Sequence, residues 1–154
     1  MIDVKVNQVA YNRMMQKIAD LSKHIKDLTP VWKDFAKYYP EEIIEKAFTG
    51  RGTVMGAKWP AFNKQYLRWK QKHYSGKPML VISGQLKADA TTNIRTEIKK
   101  DNMAFIIDNP LAGIHQLNKK KPRPFAMKKD KTLPARAVTW LIQDMWKHIK
   151  GDWK

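Results

Sequence analysis

Cysteine is absent from all 154 residues. Disulfides, thiolate zinc sites and cysteine nucleophiles are therefore excluded, and the composition fits a protein made in a reducing cytosol. No stretch approaches the ~18 unbroken apolar residues of a membrane span, so no membrane role is expected. Met1-Ile2-Asp3-Val4-Lys5 lacks the basic-then-apolar layout of a signal peptide. Acidic residues are missing from two long windows, 46–88 and 109–129. Metal-dependent hydrolysis needs clustered carboxylates, and these windows supply none. There is no internal repeat and no low-complexity tract.

What is present is cation. Thirty Lys and Arg stand against 14 Asp and Glu, a formal net charge of +16. The first acid-free window holds Lys64, Arg68, Lys70 and Lys72; the second holds Lys119, Lys120, Lys121 and Arg123. One-signed windows suit either a solvated face or a surface that meets an anionic partner. A hydrophobic fraction of 43% is that of a folded chain, and this length makes one domain that buries roughly 70% of its unfolded surface.

The chain is organised around the stretch Met79 to Leu86. It is nearly uncharged, follows Lys77-Pro78, and carries Leu80, Val81 and Ile82, which are expected to be buried. Ser83 is placed to cap a short helix, with Gly84 easing the turn into it. Upstream the texture is helical. Residues 1–7 alternate as a short strand or extended arm. Tyr11, Met14, Ile18, Leu21, Ile25 and Leu28 alternate spacings of three and four, the stripe of a core-facing or coiled-coil-like helix. Thr29-Pro30 restarts a helix with a threonine cap, and Pro40 predicts a kink or two abutting helices before Gly50 and Gly52 stop the run.

Gly50 to Lys58 lacks the order of a phosphate-binding loop and reads as a mobile surface loop. Phe62, Tyr66 and Trp69 share a helical stripe with Leu67 and Tyr74 near it. This spacing reads as core with solvated lysines; the alternative is a basic and aromatic grip on single-stranded nucleic acid. Downstream, residues 91–98 and 103–107 predict a β-hairpin, closed by Asp108-Asn109-Pro110. Leu111 to Leu117 is a short turn or helix. Extended residues around Phe125 lead to a second hairpin with its tip at 128–131. A last helix spans Val138 to Ile149, with Val138, Leu141, Ile142, Met145 and Ile149 on one side. The fold class is thus α+β: N-terminal helices packed on a small antiparallel sheet of hairpins, with a C-terminal helix. Residues 1–49 are the helical segment, 50–90 a basic loop, helix and hinge, 91–136 the hairpins, and 137–150 the C-terminal helix.

The four histidines, His24, His73, His115 and His148, fall on separate elements with no metal-ligand spacing, and no serine sits in a nucleophile elbow. No catalytic residue, metal ligand or cofactor site is assigned, and the chain reads as a non-enzyme.

Four pieces stand in a fixed order: Trp59-Pro60 with Tyr66 and Lys70; Leu80 to Leu86; Ala112-Gly113-Ile114-His115-Gln116; and Leu133-Pro134-Ala135-Arg136. Over roughly residues 30–145 this series resembles the phage virion morphogenesis family, the tail completion, neck and tail-terminator proteins of tailed phages. Leu111 and Asn118 stand where that family usually has tyrosine and glycine. The resemblance implies a small α+β structural subunit acting in tail completion and head–tail joining. It would form a homo-oligomeric ring, with a hexamer as the expected number, and meet phage neck or tail proteins. It would sit in the virion at the head–tail junction or tail end after assembly in the host cytoplasm. His115, Gln116, Pro134, Arg136, Gly84 and Trp59 become the expected structural or interface residues, with His115 and Arg136 pinning two loops. The basic residues would face DNA or a partner, with contact to DNA non-specific. The other class of function left open is a stand-alone basic nucleic-acid-binding module.

Overall fold

The structure is a computed structural model that describes residues 8–151. The strand or arm expected over residues 1–7 and the tail tryptophan Trp153 lie outside them. The elements run α1 (Gln8–Lys26), α2 (Thr29–Tyr38), a π turn (Tyr39–Ile44), α3 (Glu45–Thr49), a 3-10 turn (Thr53–Met55), α4 (Lys64–His73), α5 (Gln85–Ala90), β1 (Arg95–Ile98), β2 (Met103–Ile106), α6 (Pro110–Leu117) and α7 (Ala135–Lys150). Helices, a two-stranded antiparallel sheet and a C-terminal helix make an α+β fold.

The core is built along α2, the π turn and α3. Phe35, Tyr39, Ile43, Ile44, Ala47 and Phe48 are buried there. Pro40 has no N–H to give to Ala36, and the helix answers by widening: the Glu45 amide reaches back to the Pro40 carbonyl. The wider turn brings both Ile43 and Ile44 to the inner face, so the expected kink is a π segment. The threonine cap expected at Thr29 is supplied instead by Asp27, whose Oδ1 accepts the Thr29 N–H at 3.0 Å.

The hairpin pairs Arg95 with Ile106 and Ile98 with Met103. Met103, Phe105 and Ile107 alternate toward the core, and Phe105 lies against Tyr39 with ring centroids 5.3 Å apart. No second ladder forms among the described residues. Pro122 and Pro124 remove two of the donors that a strand at 122–127 needs, and the chain bends at 125–127 where extended backbone was expected. The expected tip survives as a turn, Lys128 N–H to the Thr132 carbonyl at 2.9 Å.

Gly50 to Lys58 is a folded turn and not a loose loop. The Gly52 amide bonds the Ala47 carbonyl, the Trp59 amide bonds the Arg51 carbonyl, and Gly52 and Met55 are buried. Leu80, Val81 and Ile82 are only half-buried; from the organising stretch Leu86 alone reaches the core. Gly84 leads into α5 at φ +90°, and the Ser83 hydroxyl accepts the Gln85 N–H at 3.2 Å.

α7 keeps part of the expected face, with Leu141 against the core and Met145 and Ile149 half-buried. Ala137, Asp144 and His148 are buried and Trp140 stacks on Tyr38 at 4.4 Å, while Val138, Ile142 and Trp146 are exposed. His148 explains the choice: its Nε2 lies 3.0 Å from the His24 carbonyl and 2.8 Å from the Asp27 carbonyl, capping the end of α1. Asp144 bears a cost, since its Oδ2 is buried without a partner among the described residues. Burial, then the Asp34 carboxylate, pushes its pKa up. A carboxyl whose folded pKa is raised gives its best stability below the ordinary aspartate range and loses it as pH rises through the folded value. Asp144→Asn is therefore expected to stabilise the protein by about 1 kcal/mol at neutral pH, with the gain vanishing in acid. Urea unfolding at the two pH values checks this.

Candidate functional site

The expected site residues divide into a clamp, an outlying pair and a basic face. The clamp surrounds the irregular segment 123–127. Phe125 at its centre is fully buried. Trp59 donates Nε1–H to the Pro124 carbonyl at 2.7 Å. Gln116 uses both ends of its amide: Oε1 accepts the Phe125 and Ala126 N–H groups, each at 3.1 Å, and Nε2 donates to the Met127 carbonyl at 2.9 Å. The Tyr39 hydroxyl donates to the Ala126 carbonyl at 2.7 Å, and burial pushes that phenol's pKa up. Side chains thus take the place of a partner strand.

His115 and Arg136 do not act together. The His115 carbonyl accepts the Arg123 N–H at 2.9 Å, while its ring lines a cleft of about 300 Å³ between α4, the 80–86 stretch and α6. Burial, then the Arg123 charge, lowers its pKa, which favours the neutral ring. Arg136 reaches Glu42 of its own chain at 2.8 Å, tying the start of α7 to the π turn. Pro134 is buried at that start, and its carbonyl accepts from Ala137 and Val138.

α4 is inside out relative to expectation. Its buried residue is Lys70, whose ammonium donates to the Lys77 carbonyl at 2.8 Å and to the Pro78 carbonyl. Desolvation, then the Arg51 charge, lowers its pKa. Lys70 therefore belongs to the turn and leaves the set of outward cations. Trp69 is 44% exposed and Leu67 and Tyr74 are exposed beside it, so the stripe is not core. The physical reason is the aliphatic reach of lysine: only its stem crosses the apolar layer, and the turn carbonyls hold its head. Lys64, Arg68 and Lys72 are exposed, as are Lys119, Lys120 and Lys121. Arg123 joins the two groups. Its guanidinium lies 4.8 Å from the Phe62 ring centroid and donates to the Pro60 carbonyl at 3.3 Å, with Nε buried and unpartnered among the described residues.

Two arrangements gave no sequence signal. The Asp89 carboxylate collects Gln85 at 2.6 Å, Asn93 at 3.1 Å and Asn109 at 2.7 Å, bonds that lower its pKa and lock α5 to the start of α6. His24 and His148 meet with ring centroids 5.3 Å apart. Among the described residues no three His, Asp or Glu side chains come together as a metal site, and no helix is long and apolar enough to cross a membrane. Comparison with family models, with curated proteins and with solved structures finds no match.

Proposed function

We propose that the protein is a structural subunit of tailed-phage virion morphogenesis, working in tail completion and head–tail joining as a ring of identical subunits. The observation that carries this reading is α1. Its seam of Tyr11, Met14, Ile18, Leu21 and Ile25 stands 40–56% exposed. A 19-residue helix with an apolar stripe facing water is marginal alone. Its main packing partner in the chain is α7, where His148 holds its last turn. The 3–4 spacing is that of a seam made for another helix. Val138, Ile142 and Trp146 add a second exposed apolar row on α7. Such surfaces mark a protein that works in contact with copies or partners. A closed ring needs two different patches that mate head to tail, and α1 and α7 supply two.

Light scattering after size-exclusion chromatography tests this. The wild type is expected as a closed oligomer. Ile18→Lys with Leu21→Lys places two cations in the seam and is expected to weaken association at least about 100-fold, since each buried side chain contributes about 1.5–3 kcal/mol. In an infected or induced cell the double variant should leave filled heads and finished tails unjoined in electron micrographs. A wild-type chain that stays monomeric at high concentration and binds one defined nucleic acid tightly would instead support the stand-alone module.

A further inference from the structure

We infer that the outer face of α4, together with the 119–121 loop, is a binding site for an unpaired nucleic-acid strand. This site stands apart from the assembly surfaces and follows from how α4 is dressed.

The rings on and beside α4 form a ladder that is half-buried at Phe62 and Tyr66 and exposed at Trp69, His73 and Tyr74. Phe62 meets Tyr66 at 4.7 Å, Tyr66 meets Trp69 at 5.4 Å, and Trp69 meets His73 at 5.3 Å and Tyr74 at 5.5 Å. Lys64, Arg68 and Lys72 recur every four residues and so share one ridge of the helix. Like charges at that spacing repel, and no acid offsets them: none of the three forms an ion pair among the described residues. A chain selected only to fold would place an acid in that row or turn the rings inward. Both features become favourable when an anion with flat apolar faces lies along the helix.

The second acid-free window completes the surface. Arg123 over Phe62 ties the end of the loop that carries Lys119, Lys120 and Lys121 to the residues before α4, and these three are also outside any ion pair among the described residues. The two windows, twenty residues apart in sequence, thus meet at the Arg123 and Phe62 contact beside the aromatic ladder. Phosphates answer the cations and unpaired bases answer the rings. A duplex hides its base faces and would use the cations alone, as would an acidic protein or a sulfated polysaccharide. α4 is about 15 Å long, so with the loop it suits a short strand of roughly four to eight nucleotides. The grip is indifferent to sequence, because every base has a stacking face.

Fluorescence anisotropy with labelled oligo-dT and oligo-rU of about 20 nucleotides, with a duplex of the same length and with heparin as competitor, tests the inference. Either single strand, DNA or RNA, is expected to bind more tightly than duplex. Trp69→Ala is expected to lower single-strand affinity about 5- to 100-fold and leave duplex affinity as it was, with Trp69→Phe restoring most of the loss. Replacing Lys64, Arg68 and Lys72 by Gln should reduce the slope of log affinity against log salt by about 2. Tyr74→Ala, at the far end of the ladder, repeats the stacking test should Trp69→Ala lower the melting temperature. Repeating the titration on the Ile18→Lys, Leu21→Lys protein separates strand binding from assembly. No binding, equal affinity for duplex, or single-strand affinity untouched by loss of these rings overturns the proposal.

Discussion

Gly52→Ala is expected to destabilise the protein by about 3–5 kcal/mol. Gly52 sits at φ +88°, and a Cβ there would lie 2.3 Å from the Trp59 ring. The left-handed backbone alone costs an alanine roughly 1–2 kcal/mol. The overlap adds more, because the neighbour is a rigid indole. Trp59 is 4% exposed, packs edge-on against Phe48 at 5.9 Å, and donates to the Pro124 carbonyl. Moving the ring strands a buried donor and acceptor, roughly 1–3 kcal/mol, and loosens the core beside Phe125. Gly76→Ala is the control. Gly76 has φ +74° with nothing within 4 Å of a Cβ, so only the backbone cost applies, roughly 1–2 kcal/mol. Urea unfolding followed by far-UV circular dichroism measures both. Equal losses for the two variants would show that Trp59 yields freely and that the turn is not locked against it.

What the sequence disclosed depended on whether a segment's partner was near it in the chain. The helix restart at Thr29-Pro30, the break at Pro40, the first hairpin and a short helix after it were legible because local rules decide them. α4 and α7 were legible as helices but not as faces. In α4 the aromatics outrank lysine on any hydropathy pattern, yet Lys70 is the residue that goes in, because the Lys77 and Pro78 carbonyls wait for its ammonium. In α7 only part of the apolar stripe turns in, because Asp144 and His148 share the inner face, and His148 is drawn by carbonyls more than a hundred residues upstream. Neither fact has a periodic signature. The second hairpin failed for a reason already present in the sequence: two prolines in one short segment remove the donors that a ladder there would need.

The same division holds for the site. Trp59, Gln116 and Arg123 come from separate stretches of the chain, and the structure brings them to one segment. Pro134 and Arg136 serve the start of α7. The Asp89 cluster could not be read, since an aspartate on a short helix and two asparagines in turns look like ordinary surface polarity until they converge. The two acid-free windows were plain, but that they touch, through Arg123 and Phe62, needed the structure.

Gln116→Leu is the other large effect, an expected loss of about 2–4 kcal/mol, which for a chain of this size is roughly a 5–15 °C fall in melting temperature. Leucine keeps the volume but drops three hydrogen bonds at once. The Phe125 and Ala126 amides cannot turn to a neighbouring strand, because no ladder among the described residues runs beside them. Gln116→Glu separates the contributions. A carboxylate still accepts from both amides but meets the Met127 carbonyl as a second acceptor, so it should cost about half as much, roughly 1–2 kcal/mol. Both variants should also weaken strand binding, because Arg123 leads directly into the clamped residues and the Lys119 to Lys121 loop is tethered through them. The ratio of the two effects is the informative quantity. Stability lost with strand affinity intact would mean that the loop is positioned by Arg123 and Phe62 alone. Parallel loss in the order Leu above Glu would place the clamp upstream of the binding face.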